Sequence, residues 1–394
     1  MLEKILKVSS AFILILALAL GFLFLTKNQE IDILKGNCKI KVVYKGIDKG
    51  VALDFDEEGN LYLAKEKGIE AIYSNGVVKE LIKDDSFKIS SMRYLKNKIY
   101  YIDRNYFKVL DLNNMETEVL MNNLPTYGQL NETKILASSD NIYISIGTVT
   151  NSGVAENLEE KGMVYDLSPK PLTLSGINFG ENITGPFLPY GSGGIKGQII
   201  NSNFPGNGVV IKYSLKNKKS NLFSWGIKNI KSWDTNSKGE IYSIIEGMDN
   251  IGVRAIEGDN DYLYKLEENK WYGWPDYSGG EPITSEKFLV NGERGEFILD
   301  NHPTTEIPKA FYNHNNLGSL EALVIDKMNE LNKVEKIYFY DKKDKKLSTL
   351  TYDCLIDDII TFKDDEDIKD IRIFKNKLYL LSNKKNIIFS VEII

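Results

Sequence analysis

One apolar pattern returns along the whole chain. A turn carrying Gly, Asn or a charge is followed by an apolar residue, a tyrosine and a mostly apolar pair. It reads GNLYLA at 59–64, NKIYYI at 97–102, DNIYIS at 140–145, GEIYSI at 239–244, EKIYFY at 335–340 and NKLYLL at 376–381. The tyrosines are Tyr62, Tyr100, Tyr143, Tyr242, Tyr338 and Tyr379, separated by 38, 43, 99, 96 and 41 residues. Two gaps are thus about double the others. Short apolar runs between such turns predict strands joined as hairpins. Residues 52–81 read strand, Gly turn, strand, Gly turn, strand, Asn-Gly turn, strand, and 92–120 repeat that order.

Repeats of ~40–50 residues built from short strands predict a β-propeller. A lone hairpin buries too little surface, so the repeats must close into a ring. The spacing fits six to eight blades, and six is the simplest number for a chain of 394 residues. The fold predicted is all-β, a six-bladed β-propeller preceded by one N-terminal transmembrane helix. The repeated tyrosines are assigned to core packing. Two stretches, 147–208 and 284–316, interrupt the pattern with Gly-, Asn-, Ser- and Pro-rich sequence. Such insertions predict loops on one face, where function concentrates.

Residues 8–26 form a run of 19 without a charge, flanked by Lys4, Lys7 and Lys27. Roughly 20 apolar residues span a bilayer. The chain therefore divides into an anchor or signal sequence at 1–27, a linker at 28–36 and an extracytoplasmic propeller at 37–394. Retention of the anchor makes it a single-pass protein of the cell membrane; cleavage makes it secreted. Cys38 and Cys354 are the only cysteines. In an oxidising compartment they form either a bridge between the chain ends or two buried free thiols. The net charge of −6 is spread over both signs, which leaves no basic face for nucleic acid.

Residues 225–280 hold all four tryptophans and end on WYGWPDYSGG. Trp271 and Trp274 either fill space between blades or stack on a sugar ring or flat cofactor. The segments GTVTNSG, YDLSPKPLTLSG, GIKN, EGMDNIGVRAIEGDNDYLYKLEENKWYGWPDYSGG and HPTTEIPKAFYNH occur in that order. Over roughly 140–314 the chain resembles the glucose/sorbosone dehydrogenase family of quinoproteins. The resemblance implies a six-bladed propeller, pyrroloquinoline quinone (PQQ), calcium and oxidation of an aldose or sugar alcohol at the centre of the loop face. It assigns Lys228, Asn229 and Trp274 to the cofactor.

Two departures bear on that chemistry. Hydride loss from a hydroxyl needs a general base for the proton. The family's histidine before DNIYISIG is missing from PTYGQLNETKILASSDNIYISIG, where Tyr127 and Gln129 lie nearest its place. Tyrosine, with its usual pKa near 10, is protonated near neutral pH, and glutamine does not titrate. His314 is the remaining stand-in; His302 and His314 together lack zinc spacing. The family's arginine is Lys228, which keeps the charge but loses the planar fork. Glu246, Asp249, Glu257, Asp259 and Asp261 are either calcium-type oxygen donors or a solvated loop. The function expected is a ligand- or carbohydrate-binding module. The alternatives are a quinone- and calcium-dependent oxidoreductase and a propeller that binds a protein partner.

Overall fold

The computed structural model describes residues 31–127, 132–156 and 165–394. The expected anchor lies outside the described residues, as does Gln129. Among the described residues no helix is long and apolar enough to cross a membrane.

The apolar-tyrosine motif works as an alternation with two buried faces. In Leu61–Lys65, Leu61 and Leu63 pack toward the last sheet of the chain, while Tyr62 and Ala64 pack toward the next one. In Lys98–Asp103, Ile99 and Tyr101 face backward and Tyr100 and Ile102 face forward. A strand covered on both sides reads as a near-continuous apolar run. Six sheets of at least four strands arise this way. Their second strands are Leu61–Lys65, Lys98–Asp103, Asn141–Ile146, Ile241–Glu246, Ile337–Asp341 and Lys377–Ser382, each holding one of the six tyrosines. The two long gaps are therefore insertions within a blade, not skipped blades. Among the described residues one apolar cluster lies between each pair of successive blades, and another joins the sixth to the first.

The ring closes through strand exchange. Cys38–Lys45 adds antiparallel to Ile387–Ile393, so the start of the described chain completes the last blade. Ile33–Gly36, within the 28–36 stretch read as a linker, pairs with Ile356–Phe362 as a fifth strand of blade five. Cys38 opens that closing strand half-buried, and Cys354 is exposed in a turn of blade five. Both are free thiols, so the structure has neither a bridge nor a buried pair.

The first strands line the axis: Gly50–Phe55, Ile89–Leu95, Thr133–Ser138, Asn229–Thr235, Leu320–Ile325 and Ile368–Phe374. Each is a sheet edge with N–H groups that need partners. Side chains of the preceding blade supply them. Asp370 Oδ2 accepts from the Leu53 amide at 3.1 Å and Asp54 Oδ2 from Tyr94 at 2.9 Å. Ser91 Oγ accepts from Ile135 at 2.9 Å and Ser232 Oγ from Leu323 at 2.9 Å, while Asp234 Oδ2 accepts from Ile325 at 3.0 Å.

At the lower mouth of the channel, Arg93 bonds Asp370 at 2.9 Å, and Arg372 lies 3.4 Å from Asp370 and 3.8 Å from Asp54. Burial raises the pKa of both aspartates, and Arg93 opposes the rise. Removing one partner from a buried network leaves its charges uncompensated. Asp370→Ala is expected to cost about 3–5 kcal/mol, read as a lowered denaturation midpoint. A loss under about 0.5 kcal/mol would show that the network does not hold blades one and six together.

Candidate functional site

The upper mouth of the channel opens into a cavity of about 660 Å³. Its lining is set by a repeated backbone device. The pairing of first and second strands slips by one residue in blades one, two, four, five and six, at Val51, Ser90, Lys231, Glu321 and Lys369. A β-bulge re-aims one side chain and is common beside functional sites. Four of these five residues, Ser90, Lys231, Glu321 and Lys369, line the cavity. Blade three has no bulge in this pair and contributes Glu132, Thr133 and Lys134, and the turn of blade two adds Arg104 and Asn105. Lys88, Thr126 and Tyr127 complete the wall.

Charge pairing fixes the floor of this cavity. Lys231 Nζ donates to Glu132 at 2.7 Å and lies 3.9 Å from Glu321. Glu132 is also 3.6 Å from Lys134. Burial works against both ions. The carboxylates Glu132, Glu246 and Glu321 nevertheless hold the Lys231 ammonium well above its ordinary pKa. Lys134, Lys231 and Lys369 hold Glu132 below the usual carboxylate range despite its burial. Glu132 is thus a poorer proton acceptor than an ordinary glutamate.

The residues assigned to the cofactor stand elsewhere. Lys228 and Asn229 follow Gly226, whose φ of +71° and contact with the Trp271 indole suit only glycine. Lys228 is 2% exposed, and its ammonium donates to the Gly247 carbonyl at 2.5 Å and to Asp249 Oδ2 at 2.6 Å. Glu246 Oε2 is 3.9 Å away and accepts from Asn229 Nδ2 at 3.3 Å. Trp274 is buried and donates from Nε1 to the Asn151 carbonyl at 3.0 Å. Lys228 and Trp274 face a slot of about 20 Å³, room for about one water.

Of the proposed metal ligands, Glu246 and Asp249 approach Lys228, while Asp259 and Asp261 are engaged elsewhere. Asp259 accepts from the Met248 and Asn260 amides, the Tyr262 hydroxyl and Ser278 Oγ. Asp261 accepts from the Gly318, Ser319 and Leu320 amides. Both are buried structural acceptors, whereas Glu246, Asp249 and Glu257 are half-buried. Among the described residues no three His, Cys, Asp or Glu side chains are placed to hold a metal ion.

The blade-three insertion leaves the end of the second strand Asn141–Ile146, and in blade four residues 247–261 leave the end of Ile241–Glu246. These are the ends at which the first strands begin, on the face of the large cavity. Residues 267–311, between the third strand Tyr262–Leu266 and the fourth Tyr312–Asn313, join them through a shared core. They form their own core around Leu174, Phe187, Met248, Trp271, Trp274 and Phe288. Trp271 and Trp274 therefore pack inside the insertions and not between blades. The polar hub is Arg254, which is fully buried and donates to the Ser152 and Pro275 carbonyls at 2.8 and 3.1 Å. Asp276 lies 3.4 Å from Arg254 and accepts from the Ile298 and Leu299 amides, each at 3.0 Å. His302 Nε2 is 3.0 Å from Asp276 and its ring stacks on Trp271. His314 Nε2 is 3.0 Å from Asp341, away from the cavity wall. Both histidines of the chain thus serve the scaffold. Tyr127 is the one described catalytic candidate that reaches the cavity, and it is exposed.

No family model and no curated protein matches the chain. Solved structures match along nearly all of it. The holo form of the PQQ domain of pyranose dehydrogenase from Coprinopsis cinerea is 11% identical at TM-score 0.62, covering 92% of this chain and 97% of that one. A calcium structure of a family AA12 carbohydrate-active enzyme from Trichoderma reesei is 13% identical at 0.60, with coverage of 92% and 97%. PQQ-bound aldose sugar dehydrogenase from Streptomyces coelicolor is 11% identical at 0.57, with coverage of 92% and 99%. The fold is that of the PQQ sugar dehydrogenases. At this identity the likeness concerns the fold alone.

Loop 148–153 beside this face is organised by Asp166, which accepts from the Val149 and Thr150 amides at 2.6 and 3.1 Å. Burial pushes its carboxyl up to about 6, against the pull of those bonds and the Thr150 hydroxyl. The folded state then holds this proton longer than the unfolded chain, so stability falls as pH rises from about 4 to about 6. Asp166→Asn removes that component. Relative to wild type, the variant should gain on the order of 2 kcal/mol across this window in parallel denaturation curves. A constant difference would contradict the assignment.

Proposed function

We propose that the protein is a membrane-anchored, extracytoplasmic propeller that binds a hydroxylated small molecule, a saccharide, in its central cavity without quinone redox chemistry. The observation that carries this reading is the cavity wall. Backbone bulges in four blades aim Ser90, Lys231, Glu321 and Lys369 inward, yet both carboxylates there are paired with lysine. Hydroxyl oxidation needs an acceptor for the proton near the reacting carbon. Glu132 is made a weaker base by its lysines, and His302 and His314 are engaged with Asp276 and Asp341. The uncharged run at 8–26 supports the anchor.

The residues assigned to calcium and quinone fit them poorly. Where the Gly247 carbonyl, Asp249 and Glu246 approach one another, the Lys228 ammonium already supplies the positive charge. A divalent cation there would face a buried like charge. The slot beside Trp274 is far smaller than a tricyclic quinone.

The fold neighbours favour a second reading, a working PQQ- and calcium-dependent oxidoreductase. The two readings separate in one assay on the full-length protein. With aldoses, PQQ, calcium and an artificial electron acceptor, our reading predicts no acceptor reduction, and a melting temperature unmoved by EDTA. Saccharides raise that temperature through preferential binding to the folded state. PQQ-dependent, EDTA-sensitive reduction would overturn the proposal. A melting temperature unaffected by every saccharide would favour the protein-partner alternative.

A further inference from the structure

We infer that the ligand of the central cavity is an anionic saccharide, one carrying a carboxylate or phosphate; this rests on the cavity being the binding site. The chain as a whole is acidic, with a net charge of −6. Its central cavity is the reverse. Among the described residues, Lys88, Arg104, Lys134, Lys231 and Lys369 line it against Glu132 and Glu321. Neither carboxylate is available to repel an incoming anion. Glu132 is bonded by Lys231 at 2.7 Å and approached by Lys134 at 3.6 Å. Glu321 lies 3.9 Å from Lys231 and 3.8 Å from Lys342, which stands outside the wall.

The remaining cations come from two blades, Lys88 and Arg104 from blade two and Lys369 from blade six. Lys88 makes no ion pair among the described residues and is exposed. Arg104 donates to the Ser86 carbonyl, from the turn of blade two. Lys369 comes from the bulge of blade six and is joined by Asp367 at 2.8 Å, a carboxylate that does not line the wall. Counting Asp367 as well still leaves cations in excess. A recess lined by one sign of charge focuses its potential and concentrates opposite ions. The arginine fork and lysine point charges suit carboxylate and phosphate alike. Ser90, Asn105, Thr126, Thr133 and Tyr127 add neutral donors and acceptors for sugar hydroxyls. The volume of about 660 Å³ is that of a small-molecule site.

Calorimetry on the full-length protein tests this with glucuronate, glucose 6-phosphate and glucose as probes. At least one acidic sugar should bind roughly tenfold or more tightly than glucose, a gap that closes as salt rises from about 0.05 to about 0.5 M. The double variant Lys88→Met, Lys369→Met should lose about tenfold for the acidic sugar and leave the melting temperature within a few degrees of wild type. Equal affinity for glucose and the acidic sugars would overturn the anionic inference while leaving the cavity as a saccharide site. No binding of any of the three by folded protein would overturn the inference together with the proposed function. Acid-sugar binding that survives both the double variant and high salt would place the charge recognition elsewhere and overturn the inference alone.

Discussion

A ring of sheets has to satisfy the amides of strands that have no neighbour on the side of the axis. Here serine and aspartate side chains on one first strand accept from the first strand of the next blade. Asp370 does so across the closing seam, from blade six to Leu53 of blade one. An unpaired buried amide costs about 1–3 kcal/mol, so each of these acceptors is worth a sizeable part of a domain's net stability. These bonds tie blade six to one, one to two, two to three and four to five.

Scaffold and chemistry are therefore separated in this chain. The insertions hold their tryptophans and His302 in a dry core around Arg254 and Asp276. Lys228 gives the Gly226 turn an internal positive charge and spends its donors on Gly247 and Asp249. What remains accessible is the cavity on the axis, whose walls come from the mouths of the first strands. The chain has the fold of the sugar dehydrogenases, and the described side chains of its central cavity are mainly lysine, arginine, serine and threonine, with Glu132 and Glu321 beside lysines.

The ring was legible because its signal is local. A strand buried on both faces must alternate apolar residues in both directions, and the six tyrosines mark six second strands for that reason. The gaps of 99 and 96 residues were legible as irregular stretches. Strand direction places the segments that follow Ile146 and Glu246 on one face, and residues around Trp271, Trp274 and Phe288 join them by packing. The site was much less legible. Lys88, Lys231, Glu321 and Lys369 lie far apart in sequence and meet only because four blades place the start of a first strand at one mouth. The available signal was a polar residue at the second or third position of a first strand, as in LEALVI and IKDIRIF. Asp259, Asp261 and His302 misled for the opposite reason. Carboxylates and histidine look alike in sequence whether they bind a ligand or cap backbone amides, and only the tertiary partners tell the two apart.

Whether this fold takes the quinone decides between a binding module and an oxidoreductase. A calorimetric titration of pyrroloquinoline quinone into the full-length protein, with and without calcium, answers that most directly. The structure's paired carboxylates and the buried Lys228 ammonium predict no calcium-dependent, saturable heat from folded protein. Saturable binding near one quinone per chain that requires calcium would contradict the account and restore the cavity to redox chemistry.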